Sequence, residues 1–194
     1  IGWKKLINIY GRIKMGKSSV SISEECISYI IDNLEEGNTI LELGSGEGTV
    51  KLSNHFKMIS IENQPEWQDK FSENTTYINV PDRLYEKDDI SWWNKTIADF
   101  KVLDGFEDTG WYNPEVLLNQ LPDKNDYDLI LVDGPGGYLG RSGFLKYIEH
   151  FNTDVPIIID DIYRVPENLM ANILSEKLKK ELIILADGCT GVIG

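Results

Sequence analysis

Five short apolar runs separated by helix-like segments constrain this chain more than any other feature. They cover residues 39–43, 57–62, 76–80, 127–133 and 155–160, and consist largely of Ile, Leu and Val. A strand that is apolar at nearly every position is covered on both faces, which is the condition of a parallel sheet with crossover helices above and below. Between the runs, apolar residues recur at helical spacing. Ser23 is placed to cap a helix opened by Glu24 and Glu25, with Ile27, Ile30, Ile31 and Leu34 along one face and Gly37 as its stop. Further helices are expected over 113–121, 143–151 and 167–180. The tail, with 182–186 and 190–193 flanking Asp187-Gly188, reads as an antiparallel hairpin with a D-G turn. The expected fold is α/β: a mostly parallel doubly wound sheet with a C-terminal antiparallel hairpin.

At 194 residues this is the size of one domain, expected to span 1–194. Two segments depart from the alternation. Residues 1–22 form an N-terminal extension of mixed Lys, Arg and Ile, and the chain begins at Ile1 rather than Met, which leaves room for an upstream segment. Residues 83–112 carry Tyr85, Trp92, Trp93, Phe106 and Trp111 among charges, an insertion long enough to form a lid over a site. A net charge of −13 and a pI near 4.5 argue against nucleic acid, because no basic patch is set aside for phosphates. The longest apolar runs are about five residues, too short to cross a membrane. Cys26 and Cys189 stand alone, and His55 and His150 are not at ligand spacing, so neither a disulfide framework nor a zinc site is indicated. A reducing, cytoplasmic setting is expected. The absence of a G-x-S-x-G elbow argues against a serine hydrolase.

The chemistry concentrates in Ile40-Leu-Glu-Leu-Gly-Ser-Gly-Glu-Gly-Thr49, where a strand runs into Gly44, Gly46 and Gly48 and a helix starts near Thr49. Glycines at such a junction permit a tight turn and close approach of a ligand to the backbone. Eighteen residues after Gly44, Glu62 ends the next strand, where an acid can accept hydrogen bonds from both hydroxyls of a ribose. A second group of acids is formed by Asp133 and the pair Asp160-Asp161, which end successive strands and so emerge on one edge of a parallel sheet. Carboxylates gathered there repel one another unless protonated or bridged by a cation, and oxygen ligands suit Mg²⁺, Mn²⁺ or Ca²⁺. The plainer reading makes one of the pair a helix cap and Asp133 a loop acid.

The glycine stretch, with Glu42 before it and Glu62 after it, resembles the first motif of the class I S-adenosylmethionine-dependent methyltransferases, and the resemblance extends over residues 24–194. It implies a Rossmann-like methyltransferase fold. It also implies a donor site made of Glu42, Gly44, Ser45, Gly46, Glu47, Gly48, Thr49, Glu62, Asn63, Asp82 and Asp133, with Asp82 toward the adenine amino group. The later acids resemble the metal site of the catechol-type O-methyltransferases, which would make Asp133, Asp160 and Asp161 metal ligands. Asp161 stands where those enzymes have Asn, and their lysine base has no counterpart among Gly134, Pro135 and Gly136. The string from Asp133 to Tyr138 also resembles glucuronoxylan O-methyltransferases, which points to sugar hydroxyls.

The expected activity is methyl transfer from S-adenosylmethionine to a hydroxyl of a small molecule or saccharide, with Asp133, Asp161 and His150 as the catalytic candidates. His150 has a plainer role as a cation at a helix C-terminus. The tryptophans wall an acceptor pocket or form the insertion's own small core. Two alternatives remain open. Gly11 to Ser18 satisfies the P-loop pattern, so a nucleotide hydrolase would use Lys17 and Asp133, although no helix signal follows Lys17 until Ser23. The other is a non-catalytic module that binds the cofactor or a partner.

Overall fold

The computed structural model describes residues 21–68, 74–98 and 108–194. The P-loop-like stretch from Gly11 to Ser18 and Phe106 lie outside the described residues.

Seven strands form the main sheet: β1 (Thr39–Leu43), β2 (Lys57–Glu62), β3 (Thr75–Asn79), β6 (Leu129–Val132), β7 (Ile157–Ile159), β8 (Leu182–Ile184) and β9 (Gly191–Ile193). Their order is β3-β2-β1-β6-β7-β9-β8. The first five pair in parallel, while β9 runs antiparallel to both β7 and β8. The fold expected from the sequence is therefore the one observed. The turn at Asp187-Gly188 joins β8 to β9, with the Asp187 carboxylate accepting from the backbone N–H groups of Cys189 (2.7 Å) and Thr190 (3.0 Å).

Successive strand residues point to opposite faces, and the apolar runs supply both. Ile40, Met58, Leu129, Leu131 and Ile158 pack on one face with Cys26, Ile27 and Ile30 of α1 (Glu24–Asn33) and Leu52 of α2 (Glu47–Leu52). Leu41, Leu43, Ile130, Val132, Ile157 and Ile159 pack on the other, against Phe144 of α5 (Ser142–Lys146) and Leu169, Met170 and Leu174 of α6 (Val165–Leu178). Ser23 caps α1, its Oγ accepting from the Cys26 N–H at 3.0 Å. That helix ends at Asn33, short of Gly37, because Leu34 is already extended; Gly37, at φ +85°, turns the chain toward β1. The helix expected over 143–151 is two pieces, α5 and a 3-10 turn at Ile148–His150.

The insertion builds a second sheet. β4 (Asp82–Leu84) pairs antiparallel with β5 (Gly110–Tyr112), with α3 (Lys87–Thr96) between them and α4 (Pro114–Leu118) following. Trp93 and Trp111 belong to the core rather than to a pocket wall. Trp111 stacks on Tyr147 with ring centroids 5.6 Å apart, and a Cβ on Gly143 would fall 2.1 Å from the indole, so glycine makes room for it. Buried Asp89 ties the insertion to α5: it accepts from Arg83 Nη2 (2.8 Å), from the Glu86 N–H (3.0 Å) and from Lys146 Nζ.

Candidate active site

From β1 the chain builds outward to β3 on one side, then returns to place β6 and β7 on the other, so the direction of winding reverses between β1 and β6. In open α/β sheets the crevice beyond the carboxyl ends of strands at such a reversal is where ligands bind. A cavity of about 480 Å³ opens there, lined by Gly44, Ser45, Glu62, Asn63, Gln64 and Trp67 on one side and by Asp133 to Gly137, Arg141, Asp160, Asp161, Tyr163 and Arg164 on the other. That volume lies within the range of about 300–1,000 Å³ typical of small-molecule sites.

The glycine loop is shaped from below. Glu42 is buried on the α1–α2 face, where it accepts from Thr49 Oγ1 (3.0 and 2.9 Å to its two oxygens) and from Ser60 Oγ (2.6 Å). Thr49 Oγ1 in turn accepts the Gly46 N–H at 2.9 Å, so the acid holds the loop through one hydroxyl. Burial pushes the Glu42 carboxyl up to about 7. Gly44 sits at φ +94°, and a Cβ there would fall 2.7 Å from the Gly134 backbone nitrogen. The β1 and β6 loops thus touch glycine to glycine, which leaves no room for a side chain at either position.

Glu62 faces the cavity. Its Oε2 accepts the Ser45 N–H at 2.8 Å and its Oε1 accepts the Gln64 N–H at 2.7 Å. Burial raises its pKa, opposed by these same bonds. Each carboxylate oxygen keeps a further lone pair, so the pair of oxygens can take two more donors from a ligand.

Across the cavity, Asp133, Asp160 and Asp161 come together as their strand positions require, with one carboxylate oxygen of each lying within 4.8 Å of the others. Among them stands Arg141, 3% exposed along its side chain. Its Nη2 lies 3.2 Å from Asp133 Oδ1 and 2.9 Å from Asp161 Oδ2, and it also donates to the Asp133 carbonyl; its Nη1 donates to the Asp160 carbonyl at 2.8 Å. Arg164 Nη2 adds a second cation on Asp161 Oδ2 at 2.7 Å. Burial pushes the Asp133 carboxyl up, with Arg141 opposing; Asp160 is raised by burial and by the charge of Asp133. Asp161 adopts φ +60°, a left-handed conformation that Asp and Asn tolerate better than most residues.

No protein-family profile matches the chain, and no curated protein matches it. Solved structures do match. A protein from Anabaena variabilis ATCC 29413, described as a candidate methyltransferase of an antibiotic biosynthesis pathway, superposes with a TM-score of 0.52 at 15% identity, over 87% of this chain and 67% of that one. This chain has the class I methyltransferase fold. Aeropyrum pernix fibrillarin matches at TM-score 0.46 and 12% identity, over 82% of this chain and 66% of that one. A methyltransferase-like protein from Silicibacter pomeroyi DSS-3 matches at 0.43 and 17%, over 90% and 89%. At these identities the likeness is one of fold, and this chain spans about two thirds of the length of the first two.

Within that methyltransferase fold, the expected site residues fall into three groups. Gly44, Ser45, Glu62, Asn63, Asp133, Asp160 and Asp161 line the cavity. Glu42, Gly46, Glu47, Gly48 and Thr49 do not; Glu42 and Thr49 organise the loop, and a Cβ on Gly48 would meet Ile22 at 2.6 Å, so that glycine serves packing. Asp82 also lies outside the lining, accepting from Asn63 Nδ2 and from the Tyr138 hydroxyl, both at 2.9 Å. His150 is away from the cavity, with its Nε2 3.8 Å from Glu149 Oε1, because Phe144, Ile148 and Phe151 turn inward and leave it on the solvent side.

Arg141, Arg164, Trp67 and Tyr163 line the cavity without having been read from the sequence. For Arg141 a signal existed: three acids at neighbouring strand ends need a counter-charge, and Arg141 is a cation eight residues after Asp133. Its presence also bears on the expected metal. A divalent cation coordinated to Asp161 Oδ2 at about 2.1 Å would stand about 5 Å or less from Arg141 Nη2, which lies 2.9 Å from the same oxygen. Moving the guanidinium aside would strip two backbone carbonyls of their donor in a buried place. Arg141 therefore competes with any cation for Asp133 Oδ1 and Asp161 Oδ2.

Proposed function

We propose that this chain transfers a methyl group from S-adenosylmethionine to a hydroxyl group of a small molecule or saccharide. The observation that carries this reading is the cavity at the winding reversal, with Glu62 and the Gly44–Ser45 backbone on one wall and Asp133 and Asp161 on the other. The donor set suits the cofactor: Glu62 can take two hydroxyl hydrogen bonds, and Trp67 brings an aromatic ring to the same wall. S-adenosylmethionine supplies an electrophilic methyl on a sulfonium.

The protein's part is to hold donor and acceptor in line, to exclude water and to take the acceptor proton. Asp133 and Asp161 are the groups that can receive that proton at the cavity wall. Asp133 suits the task better, since burial makes its carboxylate more basic than usual, while Asp161 Oδ2 is already held by two guanidinium groups. The insertion over 83–112 is proposed to cover the acceptor side, and 1–194 to act as one domain.

The reading is tested by incubating the protein with methyl-labelled S-adenosylmethionine and a panel of phenols, alcohols and sugars. Label in an acceptor supports it. Cofactor binding with no transfer to any acceptor would favour a binding module, and ATP hydrolysis lost on Lys17→Ala would favour the nucleotide-hydrolase alternative.

A further inference from the structure

We propose that Arg141 is the built-in counter-cation of the acid cluster, occupying the place a divalent metal would take, so that the site works without one. The inference rests on the proposed function for its catalytic consequence and on geometry alone for the rest. Asp133, Asp160 and Asp161 are brought to one edge by β6 and β7, and like charges so close need compensation. The compensation is a side chain. One guanidinium spans two carboxylates through Nη2 and two backbone carbonyls through both terminal nitrogens, so its place is set by four acceptors rather than by one ion pair.

The surroundings show that Arg141 cannot be traded away cheaply. It is almost fully buried, and Glu167, 2% exposed and reached by Arg164 Nη1 at 3.8 Å, adds a further negative charge on the same side. Burying a guanidinium among acids is unfavourable unless its charge is matched; here Asp133 and Asp161 match it through Nη2 and the Asp133 and Asp160 carbonyls take further bonds, while Nε is left without a hydrogen-bond partner. Arg141 is accordingly a positioning residue. It orients Asp133 and Asp161 toward the cavity and keeps them from repelling each other, without touching the reacting atoms.

The test is metal binding, read by the electron paramagnetic resonance signal of free Mn²⁺ and independent of turnover. The parent protein should remove no Mn²⁺ at the cluster, its titration matching that of Asp160→Asn. Arg141→Ala should gain one site at least tenfold tighter than any in the parent, and Arg141→Ala combined with Asp160→Asn should lose it. A parent site that binds Mn²⁺ below millimolar and disappears in Asp160→Asn would overturn the proposal, and this comparison decides even if Arg141→Ala fails to fold. So would an Arg141→Ala protein that folds and binds no more Mn²⁺ than the parent. Where labelled methyl transfer is observed, excess chelator should leave its rate unchanged, and a tenfold or greater loss restored by Mn²⁺ would contradict the inference. Failure of the methyltransferase reading itself would appear separately, as no S-adenosylmethionine binding by calorimetry, and would leave the Mn²⁺ result standing.

Discussion

Single side chains at this site do work that their position in a motif does not disclose. Glu42 precedes the glycine loop as the first-motif acid should, yet it is sealed under the loop, tied to Thr49 and Ser60. Its carboxyl is raised to about 7 from an ordinary 4.5, so the folded state holds its proton more tightly than the unfolded chain does. Stability from such a group is fully present below the unfolded pKa and is lost as pH rises through the folded one. Denaturant unfolding of the parent should therefore show stability falling between about pH 4.5 and 7, Glu42 contributing on the order of 3 kcal/mol. Glu62, Asp108 and Glu167 are also raised by burial and act in the same sense. Glu42→Gln should flatten the slope; a variant with the parent's slope would show that Glu42 is ionised in the fold. Gly44, Glu62 and Asp133 were legible because strand, turn and acid recur at a spacing the chemistry requires. Arg141 was not, since a lone Arg in Gly140-Arg-Ser-Gly143 has no periodicity, and only the charge balance of its partners calls for it.

The strands of the main sheet could be read because Ile, Leu and Val at consecutive positions leave few other options, and the errors there are confined to ends, whereas β4 and β5 of the insertion were not expected. β6 and β7 are shorter than the apolar runs that mark them, each beginning two residues later and ending one residue before Asp133 or Asp160, whose N–H groups still bond the neighbouring strand. The insertion was less legible. Its tryptophans mark a hydrophobic unit, but nothing local says whether a Trp faces a ligand or a core; Trp111 faces the core because Gly143 opens a slot for it. What ties the insertion down is polar. Removing Asp89 would leave Arg83 and Lys146 without their shared carboxylate. Asp89→Ala should cost about 2–3 kcal/mol in denaturant unfolding, toward the low end for a broken buried pair because both cations are partly solvated. Its carboxyl is held below the ordinary value by Lys146 and by the Glu86 N–H despite the opposing effect of burial, so this contribution is lost as pH falls below about 4. An Asp89→Ala variant as stable as the parent at neutral pH would refute the clasp. Where the β1 and β6 loops meet, Gly44→Ala would force a Cβ at φ +94° onto the Gly134 backbone. It should cost at least about 2 kcal/mol and shift calorimetric melting accordingly; an unchanged melting temperature would contradict the packing.

At the scale of the whole molecule, the strand order does the selecting. Because winding reverses between β1 and β6, the loops after β1, β2, β6 and β7 meet at one edge, and the acids that end those strands meet with them. No helix among the described residues is long and apolar enough to cross a membrane. Under the proposed function, this edge holds S-adenosylmethionine through Glu62. Isothermal titration calorimetry of S-adenosylmethionine into the parent protein and into Glu62→Ala tests it most directly. One saturable site in the parent, weakened by about 1.5–3 kcal/mol in Glu62→Ala with the melting temperature preserved, is the predicted result. No saturable heat in the parent, or equal affinity in the two proteins, would contradict it.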